Sequence, residues 1–377
     1  MSDVSQGTRQ QLQVQIAALG FMNDANWISS SLENLEDILE VADDYYTLTR
    51  AAINKDKSKL LTNTTTESFS IPIKFGITVI PIQPSFDGVR FLGVMINIHL
   101  NYSIVKKELR MQISHFVNVT KTKPITDRQF CYVANYVLFL QLLYKMRNTL
   151  LSHSACLSLN QRIRSLYKHK CNFPKTAPNA VFHTRMLYNL NDLWTEQIAE
   201  IFTLLLNQFN ITSSLLFQVS QIRLFRLQQQ ELDPTSPLVY WTLLHKLQHY
   251  RFNNLAAHLF LIKQADHQLT FRCNRSLTNQ IIGGTHALKD FLPHQFLRRY
   301  SAILSKYNLI YQEQVTAANG FSLYTWSQFT KRSFVKHIST QRAPKFYIEL
   351  RKLLLDEQSN SCLPIADIDQ DTGLTLT

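Results

Sequence analysis

Glycine is scarce in this chain, 9 among 377 residues, roughly a third of its usual frequency. Because glycine supplies the positive-φ positions of tight turns, its shortage excludes a turn-dense sandwich or barrel and points to helices. Long hydrophobic runs are missing too. The longest apolar stretch, Tyr132 to Tyr144, is interrupted by Asn135 and Gln141 and falls short of the ~20 residues needed to span a bilayer. The polar stretch from Met1 to Gln13 has no hydrophobic segment of the kind a secretory signal needs, so a cytoplasmic chain that is neither secreted nor membrane-bound is expected.

Cysteine offers no framework either. Cys131, Cys156, Cys171, Cys273 and Cys362 are odd in number and widely spread, with no C-x-x-C pair, so they read as free thiols, and neither a metal centre nor a cofactor is expected. No phosphate-binding glycine loop, dinucleotide fingerprint, H-E-x-x-H or G-x-S-x-G occurs, which removes the common nucleotide, zinc-protease and hydrolase chemistries. The reading is therefore non-enzymatic.

Acidic residues are few where basic ones are many. Residues 1–99 carry 7 Lys/Arg against 11 Asp/Glu, residues 100–352 carry 32 against 11, and residues 353–377 carry none against 5. A net +21 concentrated in the long middle segment repels itself when compact, and a polyanion that releases its counterions on contact relieves the repulsion. Nucleic acid, DNA ahead of RNA, is the expected partner, with a homo-oligomer or a protein complex as the setting.

Ser31 onward reads as an acidic amphipathic helix, with Leu32, Leu35, Ile38, Leu39, Ala42, Tyr45 and Tyr46 at helical spacing and a cap among Ser29 to Ser31. Residues 69–102 alternate apolar with small or polar side chains around Pro84-Ser85-Phe86-Asp87-Gly88, which predicts a β-hairpin. Beyond it, 3.6-residue periodicity predicts helices over 104–119, 127–152, 157–169, 187–208, 215–232 and 237–264. The fold class is mainly α. Five parts are expected: 1–53 with the acidic helix, 54–172 with the hairpin and helices, a helical region at 179–232, a nucleic-acid-binding domain at 237–352, and an acidic flexible tail at 353–377.

The order of elements from 254 to 326 is the most specific feature. A helix at 254–264 is followed by a short β segment at 268–273, short helices around 276–282 and 285–291, a break at Leu292-Pro293 and a longer helix over 294–306. Two strands at 309–315 and 321–326 then flank Ala317-Ala318-Asn319-Gly320, a turn sequence. This order resembles winged-helix DNA-binding modules, in which a recognition helix enters the major groove and a hairpin wing touches the backbone. The resemblance implies that Gln295, Arg298, Arg299, Ser301 and Lys306 face nucleic acid, Arg and Gln reading base edges and Ser and Lys holding phosphates. Two basic clusters flank it. Arg162, Arg164, Lys168 and Lys170 surround Tyr167, and Lys331, Arg332 and Lys336 surround Phe334, combinations suited to phosphates and a stacked base.

Two other readings are kept. An RNA-coating, viral-type nucleoprotein shares the helical, basic character. Arg147-Asn148-Thr149-Leu150-Leu151-Ser152-His153 resembles the R-N-x4-H signature of HEPN ribonucleases, which implies that Arg147, Asn148 and His153 act on an RNA 2′-hydroxyl and phosphate.

Overall fold

A computed structural model describes residues 18–21, 24–62, 72–80, 88–97, 103–234, 253–267, 281, 283–317, 319–320, 322–331 and 342–355. They are mainly helical, with three two-stranded antiparallel hairpins. They fall into two compact units, one within 14–205 and one from Leu206 onward, and the division lies inside α7 (Leu193–Asn210). Among the described residues no helix is long and apolar enough to cross a membrane.

The first unit opens with a hairpin of β1 (Ala18–Phe21) and β2 (Asp24–Trp27), then α1 (Leu32–Thr49). The Ser31 side chain caps α1 by accepting from the Asn34 amide, as its position before an apolar-periodic run predicts. Leu39 packs on Ile73, Phe75 and Ile80, and Trp27 meets Phe75 edge-on at 5.5 Å. Tyr45, expected on the apolar face, is exposed instead.

The single hairpin predicted for residues 69–102 is two short ones. β3 (Ile73–Phe75) pairs with β4 (Thr78–Ile80), and β5 (Val89–Phe91) pairs with β6 (Val94–Ile96). Each closes on its own glycine. Gly76 has φ +57°, and a Cβ there would lie 2.0 Å from the Asp43 carboxylate. Leu92 and Gly93, at φ +46° and +79°, make the doubly positive turn that suits strand twist. Residues 84–87, the expected turn, lie outside the described residues.

Helices fill the rest of this unit: α2 (Ser103–Lys121), α3 (Asp127–Val133), a π-helical segment (Ala134–Phe139), α4 (Leu140–Met146), α5 (His153–Lys170) and α6 (Ala180–His183). Thr126 and Gln129 form a reciprocal capping box at the start of α3. Leu109, Ile113, Phe130, Leu142, Ile163, Tyr167 and Phe182 form the core, with Phe130 stacked on Tyr167 at 4.9 Å. The buried Cys131 thiol donates to the Tyr167 hydroxyl at 3.0 Å. The helix expected to reach residue 152 stops at Met146, because the following loop is held from elsewhere. Buried Gln197 accepts from the Leu151 amide at 2.9 Å and donates to the Leu151 carbonyl at 3.0 Å. Ser152 then caps α5 through the Ala155 amide. α7 begins later than its periodicity suggests, since Asn189 is left-handed and Asp192 accepts from the Thr195 amide at 3.1 Å.

The second unit contains α8 (Leu215–Gln230), α9 (Asn254–Gln264), α10 (Leu288–Phe291), α11 (His294–Lys306), α12 (Trp326–Thr330) and α13 (Lys345–Leu354). Leu288, Phe296, Leu297, Tyr300, Leu304, Trp326, Phe329 and Tyr347 belong to one core. α9 is buried on nearly every side, the signature of an internal helix. Residues 235–252, the start of the helix predicted from Pro237, lie outside the described residues.

Candidate nucleic-acid interface

α11 is amphipathic by sequence and ends where its periodicity says. Phe296, Leu297, Tyr300 and Leu304 face the core, while Gln295, Arg298, Arg299 and Lys306 are exposed. At 100° per residue these four fall on one side of the helix. Ser301 does not join them. It is buried on the inner face, and Ile303, expected inside, is exposed. Arg298, Arg299 and Lys306 have no carboxylate partner among the described residues. Pro293 offers α11 no side-chain cap, and its first turn holds His294 and no acid, so the positive end of the helix dipole adds to the same field.

What precedes α11 fixes its entry. Lys289 pairs with the buried Asp233 carboxylate at 2.7 Å, tying α10 to the chain beyond α8. Ala287 bridges Tyr311 in antiparallel sense, through Leu288 amide to Ile310 carbonyl at 2.7 Å and Gln312 amide to His286 carbonyl at 2.9 Å. Glu313 braces the turn: one carboxylate oxygen accepts from the Thr285 amide (2.9 Å) and hydroxyl (2.9 Å), the His286 amide (3.1 Å) and His286 Nδ1 (2.8 Å). Burial alone would push this carboxyl up, but those hydrogen bonds together outweigh it and hold it below its ordinary value. A Cβ at Gly284 would come 2.2 Å from the other Glu313 oxygen and 2.8 Å from Tyr311 Cβ, so only glycine admits the carboxylate this closely.

The two expected wing strands are shorter and differently built. Residues 309–315 contain a 3-10 turn, Gln312–Gln314, because Gln314 Oε1 accepts from the Ile310 and Tyr311 amides at 2.7 and 2.9 Å. Side-chain hydrogen bonding there replaces a ladder. The second expected strand is reduced to a bridge at Leu323, and Thr325 already caps α12 in a capping box with Gln328. What remains is one Thr316–Leu323 bridge, flanked by Ala317 amide to Ser322 carbonyl at 2.7 Å and Tyr324 amide to Val315 carbonyl at 2.9 Å, with Gly320 at φ +74°. The expected β segment at 268–273 lies outside the described residues, as does the short helix expected around 276–282 except for Ile281, which belongs to no helix.

Comparison with family models, curated proteins and solved structures returns no match.

The basic cluster at the end of α5 is largely committed to holding its own unit together. Lys168 Nζ donates to the carbonyls of Lys175 (3.0 Å) and Ala177 (2.6 Å) and lies 5.7 Å from the Phe182 ring. Lys170 Nζ donates to the Lys123 carbonyl at 2.6 Å. Arg164 sits 3.9 Å from Asp192, its guanidinium pKa lowered by burial. Arg162 is exposed, with one bond to the Ser114 hydroxyl at 2.6 Å. Tyr167 is fully buried and cannot stack on a base. In the second cluster Lys331 is exposed after α12, while Arg332 and Lys336 lie outside the described residues.

Arg147 and His153 are both exposed, one after α4 and the other opening α5. Each has an aromatic of its own: Arg147 lies 5.4 Å from the Tyr144 ring and His153 5.2 Å from Trp194. Asn148 is exposed between them. Sequence reasoning missed two residues. His294 shares the exposed start of α11, signalled by the proline before it. Glu313, hidden in an expected strand, was foreshadowed only by the Gly283-Gly284 pair that makes room for it.

Proposed function

We propose that this chain is a non-enzymatic DNA-binding factor that takes duplex DNA on the outer face of α11, in a winged-helix-like arrangement with the turn at 317–322 beside it. One observation carries the reading: Gln295, Arg298, Arg299 and Lys306 stand together in solvent opposite a closely packed face, and the three cations have no carboxylate partner among the described residues. Bidentate Arg suits guanine O6 and N7, Gln suits adenine N6 and N7, and Lys suits phosphate. The order bridge, short helix, recognition helix, bridge and turn supports the same reading.

The test is fluorescence anisotropy with duplex DNA, single-stranded DNA and RNA at two salt concentrations. Arg298→Glu with Arg299→Glu is expected to weaken duplex binding at least tenfold and to reduce the salt slope by about two. Lys57→Glu with Lys59→Glu, exposed in the other unit, is expected to change it little. Equal losses from the two pairs would overturn the assignment to α11. Indifferent binding to any RNA strand, with oligomerisation, would favour a coat protein instead.

A further inference from the structure

The helical run from Asp127 to Met146 carries a largely aromatic edge that its own fold leaves mostly in solvent, Tyr144 being tethered through its hydroxyl to the Leu92 carbonyl. Tyr132 is 63% exposed, Tyr136 62%, Leu140 55% and Tyr144 42%, at every fourth position. In an α-helix of 3.6 residues per turn a residue four on overshoots a full turn, so such a row winds steadily around the axis. The i→i+5 bonding of a π-helix makes a wider turn, over which a residue four on falls short. Ala134–Phe139 therefore cancels part of the drift and keeps the row on one side. The π segment is itself held from outside: buried Asn135 donates to the Asn189 carbonyl at 2.7 Å and accepts from the Asn191 amide at 2.9 Å.

The surroundings of this row are predominantly cationic, with Glu108 of α2 paired to Lys145 of α4. No carboxylate occurs between Asp127 and Asn148, and residues 103–171 carry 12 Lys/Arg against 2 Asp/Glu. Arg128, one turn before Tyr132, is exposed, and the Arg147 guanidinium lies 5.4 Å from the Tyr144 ring. The adjacent α2, joined through Gln112 and Gln141 at 2.5 Å, exposes Lys107 and Arg110. Tyrosine rings in a field with 12 cations against 2 carboxylates, one of them, Glu108, already paired with Lys145, are the elements of a base-stacking platform. The Tyr132 and Tyr136 rings lie 5.0 Å apart, tilted by 39°, wider than the ~3.4 Å repeat of a strand within a duplex, and duplex bases have no free faces. The ligand is thus a strand with its bases unstacked.

We propose that Tyr132, Tyr136 and Tyr144 form a stacking track for single-stranded nucleic acid, with Arg128 and Arg147 holding phosphate at its two ends. This is a second site, in the other compact unit, and it stands whether or not α11 takes a duplex.

The experiment uses the full chain with labelled oligo-dT and oligo-U. Tyr132→Ala with Tyr136→Ala is expected to weaken strand binding by about tenfold or more, while Tyr132→Phe with Tyr136→Phe stays within about twofold of the parent, because the phenyl face remains. Arg128→Glu with Arg147→Glu is expected to lose at least as much, and Arg298→Glu with Arg299→Glu to leave this binding in place. The oligonucleotide held more tightly by the parent identifies the strand as DNA or RNA. Unchanged melting temperature and circular dichroism establish that the variants fold; should the alanine pair lower them, the arginine pair decides. Parent-like binding by the folded alanine pair overturns the proposal. So does a shift from dimer to monomer in sedimentation with strand binding intact, which would make the row a seam between two copies.

Discussion

His258 is the most strongly perturbed histidine among the described residues. It sits in α9, buried on nearly every side, and its Nδ1 has no hydrogen-bond partner among the described residues. Burial, and secondarily the neighbouring Arg223 charge, lowers its pKa from the ordinary 6.5 to about 4. Between those values the unfolded chain binds a proton that the folded chain refuses, so stability falls as pH drops from about 6.5 to about 4 and changes little above it. At 1.36 kcal/mol per unit the loss is about 3 kcal/mol. Urea unfolding at pH 7, 5 and 4 is expected to show that decline in the parent and a flatter profile in His258→Leu. A parent as stable at pH 4.5 as at pH 7 would remove His258 from the account.

At the scale of elements, a helix was readable wherever its own side chains decide it, and not where a distant group does. The range of α11 is legible from Pro293 and the apolar positions 296, 297, 300 and 304, all local. The π segment is not, since Asn135 finds its partners more than fifty residues away at Asn189 and Asn191. The two hairpins of 73–96 were legible only through Gly76 and Gly93, weaker signals than the proline-rich stretch between them. Of the α11 site, the exposed Arg and Gln positions followed from periodicity, whereas Ser301 fell inside because the buried stripe is one residue wider than an i, i+3, i+4 count gives. Gln197 makes the same point about distance. Its amide brackets both backbone groups of Leu151, 46 residues earlier. Gln197→Leu strands a buried N–H and C=O, each costing ~1–3 kcal/mol, and is expected to lower stability by about 2–4 kcal/mol in urea titration. Hydrogen exchange should quicken at the Leu151 amide well before it does in α9.

For the molecule as a whole, an excess of cations is not the same as a binding surface. Lys168, Lys170, Arg164, Lys289 and Lys55 are bound to carbonyls or carboxylates of their own chain, and their charge organises loops and helix ends. Arg298, Arg299, Arg128 and Arg147 carry no such acid partner among the described residues and stand on two different units. The thiols add a different use of the same packing. Burial raises Cys131, Cys156 and Cys171 above the usual thiol range, Cys156 to about 12, so thiolate chemistry at these positions waits for the helices to part. Peptide-resolved alkylation is expected to modify Cys171 first and Cys156 last, turning three silent sulfurs into clocks that time how often α3 and α5 breathe.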